Sequence, residues 1–271
     1  MRTLAAVFLM SILFAFSAFA AAGCPPELYG KPSPIKVDGK LLKRSDITPQ
    51  DEFRIAVAYA QGEGVRQDLA AALDWYKRAA NHGNVGAQVN LGLMYEHGCA
   101  TAPDIVEAFH WINRSMAEGY VPARNVLALY YIDGVGVPKD IEHGVRLLRE
   151  AAEAGFVPAM YNLGVMYARG VLGAEDDHEA FRWIERAARK DLPQAQHALG
   201  LAYYHGAGVP QDKDEALRWF QRAADRGNAE SEYALAMLYE RGIGVPRDAG
   251  ESVRWMARAR QHGVVANAFE P

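Results

Sequence analysis

Tyrosine recurs at Tyr59, Tyr95, Tyr131, Tyr167, Tyr203 and Tyr239, always at a spacing of 36 residues. Glycine follows three positions later in every copy, from Gly62 to Gly242, and aspartate six positions after that, from Asp68 to Asp248. A fixed period of this length is the mark of stacked supersecondary units, in which each copy buries its apolar face only against its neighbours. The repeat frame is 51–86, 87–122, 123–158, 159–194, 195–230 and 231–266. Positions below are counted within this frame. Half of the chain is hydrophobic and 23% is charged, which excludes a disordered chain.

Each copy predicts two helices. Positions 1, 5, 8 and 12 of the second copy are Ala87, Leu91, Met94 and Gly98, a helically spaced stripe closed by a glycine cap. The second helix starts at the aspartate. In four copies a glutamate follows three residues on: Glu107, Glu179, Glu215 and Glu251. That pattern predicts a capping box, which makes the aspartates caps rather than ligands or catalysts. The five tryptophans, Trp75, Trp111, Trp183, Trp219 and Trp255, share position 25, with Leu147 in the third copy. Alanines such as Ala72, Ala108, Ala180 and Ala216 let helices approach closely beside these rings, so the tryptophans read as core.

The pattern resembles the Sel-1-like repeat family, relatives of the tetratricopeptide repeats. The resemblance runs through Ala159 to Gly170, Gly208 to Asp212 and Ala216 to Gly227, and extends over the whole repeat body. It implies an all-α fold, a right-handed α-solenoid of six two-helix repeats whose first helices line a concave groove. It also implies an adaptor scaffold for other proteins. Exported members serve envelope assembly, signalling or host contact, and some are immunity proteins against secreted toxins, including phospholipases. The disulfide-per-repeat members linked to β-lactam binding are not matched, because this chain has only two cysteines.

Residues 1–23 read as an export signal: Arg2, an apolar run from Leu4 to Phe19, and a small-residue end at Ala18-Phe19-Ala20, with cleavage expected near 20–23. Residues 24–50 form a proline-rich arm with a weak hairpin signal around Asp38-Gly39, and 267–271 a short tail. Thr48-Pro49 reads as a helix start. An exported chain with two cysteines predicts a Cys24–Cys99 disulfide joining arm to body. The alternative is a lipid anchor at Cys24, since Ala21-Ala22-Gly23-Cys24 resembles a lipobox apart from Ala21. The predicted location is the periplasm.

On a single helix, positions 3, 7, 10 and 11 lie opposite the core stripe. Position 3 carries Phe53, Val89, Asn125, Tyr161, His197 and Tyr233, and position 7 is aliphatic throughout, with Leu201 and Met237 among its residues. Positions 10 and 11 add Tyr204 and then Arg169, His205 and Arg241. Tyrosine and arginine are what interface hot spots use. The expected partner-binding residues are therefore Tyr161, Arg169, His197, Tyr204, His205, Tyr233 and Arg241. Position 7 either joins that surface or packs sideways between repeats.

No enzyme motif survives its context. Ser33-Pro34-Ile35-Lys36 spells an acylation motif inside the proline-rich arm, and no Lys-Thr-Gly follows. His97 and His205 share position 11 but stand three repeats apart, which predicts no shared metal. The net charge of −4 gives no nucleic-acid footprint. The body holds no apolar stretch long enough to span a membrane. The expected function is a non-enzymatic periplasmic scaffold without cofactor or metal. Its partner is another protein, either a secreted toxin that it neutralises or an envelope-assembly component. A cell-wall or β-lactam enzyme is the alternative from another class.

Overall fold

Every copy closes its two helices with the same backbone bond, and that bond explains the tyrosine–aspartate spacing. The aspartate N–H donates to the tyrosine carbonyl nine residues earlier, from Asp68 to Tyr59 at 3.0 Å through Asp248 to Tyr239 at 3.0 Å. The intervening glycines, Gly62 to Gly242, all have φ between 61° and 76°, the left-handed region that glycine enters without steric cost. The aspartate side chain then accepts from the first turn of the second helix in all six copies.

In the computed structural model, residues 47–264 apart from 172 are described. They form α1 (Pro49–Gln61), α2 (Leu69–Asn81), α3 (Val85–His97), α4 (Ile105–Ala117), α5 (Val121–Asp133), α6 (Ile141–Glu153), α7 (Val157–Ala168), α8 (Asp177–Ala188), α9 (Pro193–His205), α10 (Lys213–Asp225), α11 (Ala229–Arg241) and α12 (Ala249–Gln261). The fold class is an all-α solenoid, and no strand occurs among the described residues. The chain divides after Ala151 into two units, one with α1–α6 and one with α7–α12. The predicted export signal, the arm to residue 46 with Cys24 and Ser33, and the tail lie outside the described residues.

The capping prediction holds for its aspartate half. The reciprocal box is formed at Thr48 and Asp51, where the Thr48 bonds hold the Asp51 carboxyl below its usual pKa. At α8, α10 and α12 the glutamate turns the other way and pairs with an arginine three residues on: Glu179 with Arg182, Glu215 with Arg218, and Glu251 with Arg254 at 2.6 Å. An arginine on the same exposed face attracts the carboxylate more strongly than the aspartate's neutral backbone N–H, which already donates to the tyrosine carbonyl nine residues earlier.

Two sets of glycines mark close approach. In the second, fourth and fifth repeats Gly92, Gly164 and Gly200 face Ile112, Ile184 and Phe220, where an added Cβ would sit 2.5 to 2.7 Å from the nearest atom. At Gly208 an added Cβ would fall 2.1 Å from the Asp177 carbonyl, so this loop nests on the start of the previous repeat's second helix. The tryptophans pack as expected: Trp183, Trp219 and Trp255 are buried, and an arginine three residues on lies over every ring at 4.4 to 5.5 Å. Repeat three reverses this chemistry. Leu147 and Glu150 replace tryptophan and arginine, and Glu150 meets Arg124 of the first helix at 4.0 Å. Its close-approach glycine also changes helix, to Gly144, whose Cβ would lie 2.6 Å from the Ala128 carbonyl.

Candidate partner-binding face

The first helix of each repeat is covered on more sides than a single-helix wheel suggests. Its core stripe meets the second helix of its own repeat, and its position-3 side turns toward the next repeat. In the first unit Val89 and Asn125 are buried. In the second, the His197 ring sits 5.5 Å from Phe220, and its Nδ1 lies 2.8 Å from the Ser231 hydroxyl of the following repeat. Burial lowers the His197 pKa to about 4, so the ring is neutral at ordinary pH.

These contacts correct the expected site. His197 is 6% exposed and Tyr233 9%, so neither lies on an open surface. Tyr161 is half-buried, and burial, then the negative charge of Glu230, raises its hydroxyl pKa. Position 3 is a seam between repeats. One sequence signal pointed to this: position 1 is alanine in the second to fifth copies and becomes Ser231 where position 3 of the previous copy is histidine.

The remaining expected residues sit where a partner can reach them. Arg169 follows α7 and is exposed, Arg241 ends α11 and is exposed, and Tyr204 and His205 at the end of α9 are half-buried. The Tyr204 and His205 rings meet edge to face at 4.9 Å. Position 7 divides: Val57 and Val165 are buried, while Leu93, Leu129, Leu201 and Met237 are half-buried. The second unit therefore presents half-buried apolar side chains beside tyrosine, histidine and arginine. In the first unit the corresponding position-11 residues are Gln61, His97 and Asp133. There Glu96 accepts a 2.6 Å hydrogen bond from Tyr130 of the next repeat, and burial followed by this carboxylate raises the Tyr130 pKa.

A buried charge cluster escaped the sequence reading. Glu52, 2% exposed, lies 3.5 Å from Arg78 and 2.7 Å from His82. Glu232, fully buried, lies 3.0 Å from Arg258 and 2.8 Å from His262. The two triads occupy the same register in the first and last repeats, a spacing of 180 residues that the sequence displays. The second and fifth repeats place Gln88 and Gln196 there, which donate to Glu118 and Asp191, and the third and fourth place Arg124 and Met160. The triads tie each first helix to the end of its own second helix.

Among the described residues no three histidine, cysteine, aspartate or glutamate side chains are grouped to hold a metal ion. No described helix is long and apolar enough to cross a membrane.

The Sel1 repeat family model matches residues 49–84, 85–120, 121–156, 157–192, 193–228 and 229–264. The chain belongs to the Sel1 repeat family. These matches share the 36-residue period and begin two residues before the frame read from the sequence, at the observed starts of the first helices. This Sel1 repeat protein is similar to a Sel1 repeat protein from Oxalobacter formigenes, with 33% identity, a TM-score of 0.74, and coverage of 81% of this chain and 91% of that one. It is also similar to a protective antigen of uropathogenic Escherichia coli with the same fold, at 31% identity and a TM-score of 0.62, covering 79% of this chain and 46% of that one. An immunity protein from Pseudomonas aeruginosa shares the fold at 19% identity and a TM-score of 0.62, covering 83% of this chain and 84% of that one. Among curated proteins none matches. A Sel1 repeat scaffold is suited to binding protein partners.

Proposed function

We propose that this Sel1 repeat protein is an exported, non-enzymatic scaffold that binds one protein through the first helices of its second unit and neutralises a secreted toxin in the periplasm. The observation that carries the reading is the face of α7, α9 and α11. Leu201, Met237 and Tyr204 are half-buried there, Leu201 and Tyr204 pack on the outside of the Phe220–Leu235–Leu238 core cluster, and Arg169 and Arg241 are exposed at the ends of α7 and α11. Apolar and aromatic groups ringed by polar ones are the composition of an interface centre and rim. The fold shared with immunity proteins supports the toxin part of the proposal. A disulfide between Cys24 and Cys99 belongs to the same proposal. Cys99 is 1% exposed and packs in the core cluster with Leu91 and Met94, and pairing would fix the arm to that unit.

The test is rescue. Cells making a periplasmic toxin encoded beside this gene should survive with the wild-type chain and die with Tyr204→Ala, while both chains accumulate equally. Equal rescue by Tyr204→Ala would remove the face from the account. Failure to rescue from any neighbouring toxin would remove the toxin. Non-reducing mass spectrometry of the exported chain should show Cys24 and Cys99 in one linked peptide pair. A diacylated Cys24 would overturn the disulfide.

A further inference from the structure

We propose that the partner segment held on the second unit is acidic and extended, with a carboxylate at about every third residue. This rests on the reading of that face as the binding surface. Val157–Ala168 and Pro193–His205 contain no aspartate, glutamate, lysine or arginine, so the face is neutral and apolar across two repeats. Position 11 alone brings basic groups to it in succession: Arg169, His205 and Arg241.

Most arginines of this unit are matched. Arg182, Arg189, Arg218, Arg226, Arg254 and Arg258 each meet a carboxylate within 3.0 Å. Arg186 and Arg222 lie over tryptophan rings. Among the described residues Arg169, Arg241, Arg247 and Arg260 are exposed and form no ion pair or ring contact, and of these only Arg169 and Arg241 stand at position 11. The acids of α11 do not supply one. Glu232 is buried against Arg258 and His262, Glu230 accepts from Asn228 at 2.8 Å, and exposed Glu240 makes no ion pair among the described residues. Two guanidinium groups at one register, with an imidazole between them, recognise carboxylates.

The spacing follows from packing. Neighbouring helices lie about 10 Å apart, and three extended residues also span about 10 Å. A segment in the extended polyproline II conformation, with three residues and about 9 Å per turn, thus brings every third side chain to the same side and to successive position-11 residues. The side chains between them meet Leu201, Tyr204 and Met237.

The test uses fluorescein-labelled nonapeptides with aspartate, asparagine or lysine at positions 1, 4 and 7 and leucine and serine elsewhere. Binding to the full exported chain is read by anisotropy at low salt. The aspartate peptide should bind about tenfold more tightly than the asparagine peptide, and the lysine peptide should not bind. Arg169→Ala with Arg241→Ala should remove the aspartate preference, leave the asparagine peptide unchanged and keep the melting temperature. Equal affinity for aspartate and asparagine peptides, or a preference that survives the double substitution, would overturn the inference. If Tyr204→Ala still weakens the asparagine peptide in that case, the face stands as a binding surface and only its charge preference falls. If no peptide binds and a photo-crosslinker at Tyr204 captures nothing in cells, both readings fall.

Discussion

The two units share one backbone frame and diverge on the exposed side of their first helices. In the first unit this side carries Leu93 and Leu129 with Gln61, His97 and Asp133, and the Glu96–Tyr130 bond joins one repeat to the next. In the second it carries Leu201 and Met237 with Tyr204, Arg169, His205 and Arg241. The caps, the tyrosine–aspartate bonds and the glycine turns are the same in both. Residues that set the frame are therefore held to one type at one register. Residues that the frame does not use vary, and the second unit concentrates tyrosine, histidine and arginine in them.

The frame should fail first when its close contacts are filled. Gly208→Ala places a Cβ 2.1 Å from the Asp177 carbonyl at a φ of +72°. It should cost about 3 kcal/mol or more in chemical denaturation, since the obstacle is backbone and cannot yield as a side chain would. Loss of under about 1 kcal/mol would mean that the nested loop is not part of the frame.

Acid should separate the units next. The folded pKa of His197, about 4, lies below its usual 6.5. The neutral ring is favoured in the folded state, so this stability is complete above about pH 6.5 and is lost as pH falls toward 4. The two values correspond to about 3 kcal/mol at most. Hydrogen exchange of α9 and α11 should quicken over that range, and His197→Asn should flatten the change. Asn125 occupies the same register in the first unit and does not titrate there. An unchanged pH profile in His197→Asn would contradict the buried neutral ring.

A smaller effect belongs to the first unit. Tyr130→Phe removes the 2.6 Å bond to Glu96 and should cost about 1 kcal/mol. The smallest effect on stability belongs to the proposed face. Arg169→Ala with Arg241→Ala should move the melting temperature by less than about 2 °C, because neither side chain has an ion pair or ring contact to lose among the described residues. A larger shift would assign these arginines to the frame.

The sequence displayed the frame almost completely, because each part of it is a local rule repeated from copy to copy: a glycine at positive φ and an aspartate cap in all six, and an alanine where helices touch, as at Ala72, Ala108, Ala180 and Ala216, in four. The face was less legible. A helical wheel treats one helix against one core, whereas a solenoid helix also meets the next repeat, which is why His197 and Tyr233 are covered although their phase points away from the stripe. Position 11 lies at the helix end, where Arg169 and Arg241 are exposed. The Glu52 and Glu232 triads were missed because their polar partners belong to the far end of the second helix, 30 residues away.

Site-specific photo-crosslinking in living cells tests the central claim most directly. A benzoylphenylalanine placed at Tyr204 on the second unit's first helices is compared with one at Val106 or Val253, which are 72% and 68% exposed on second helices. The account predicts one discrete protein adduct from position 204 and none from 106 or 253. Adducts of equal yield from all three positions, or an adduct from Val106 or Val253 alone, would contradict it.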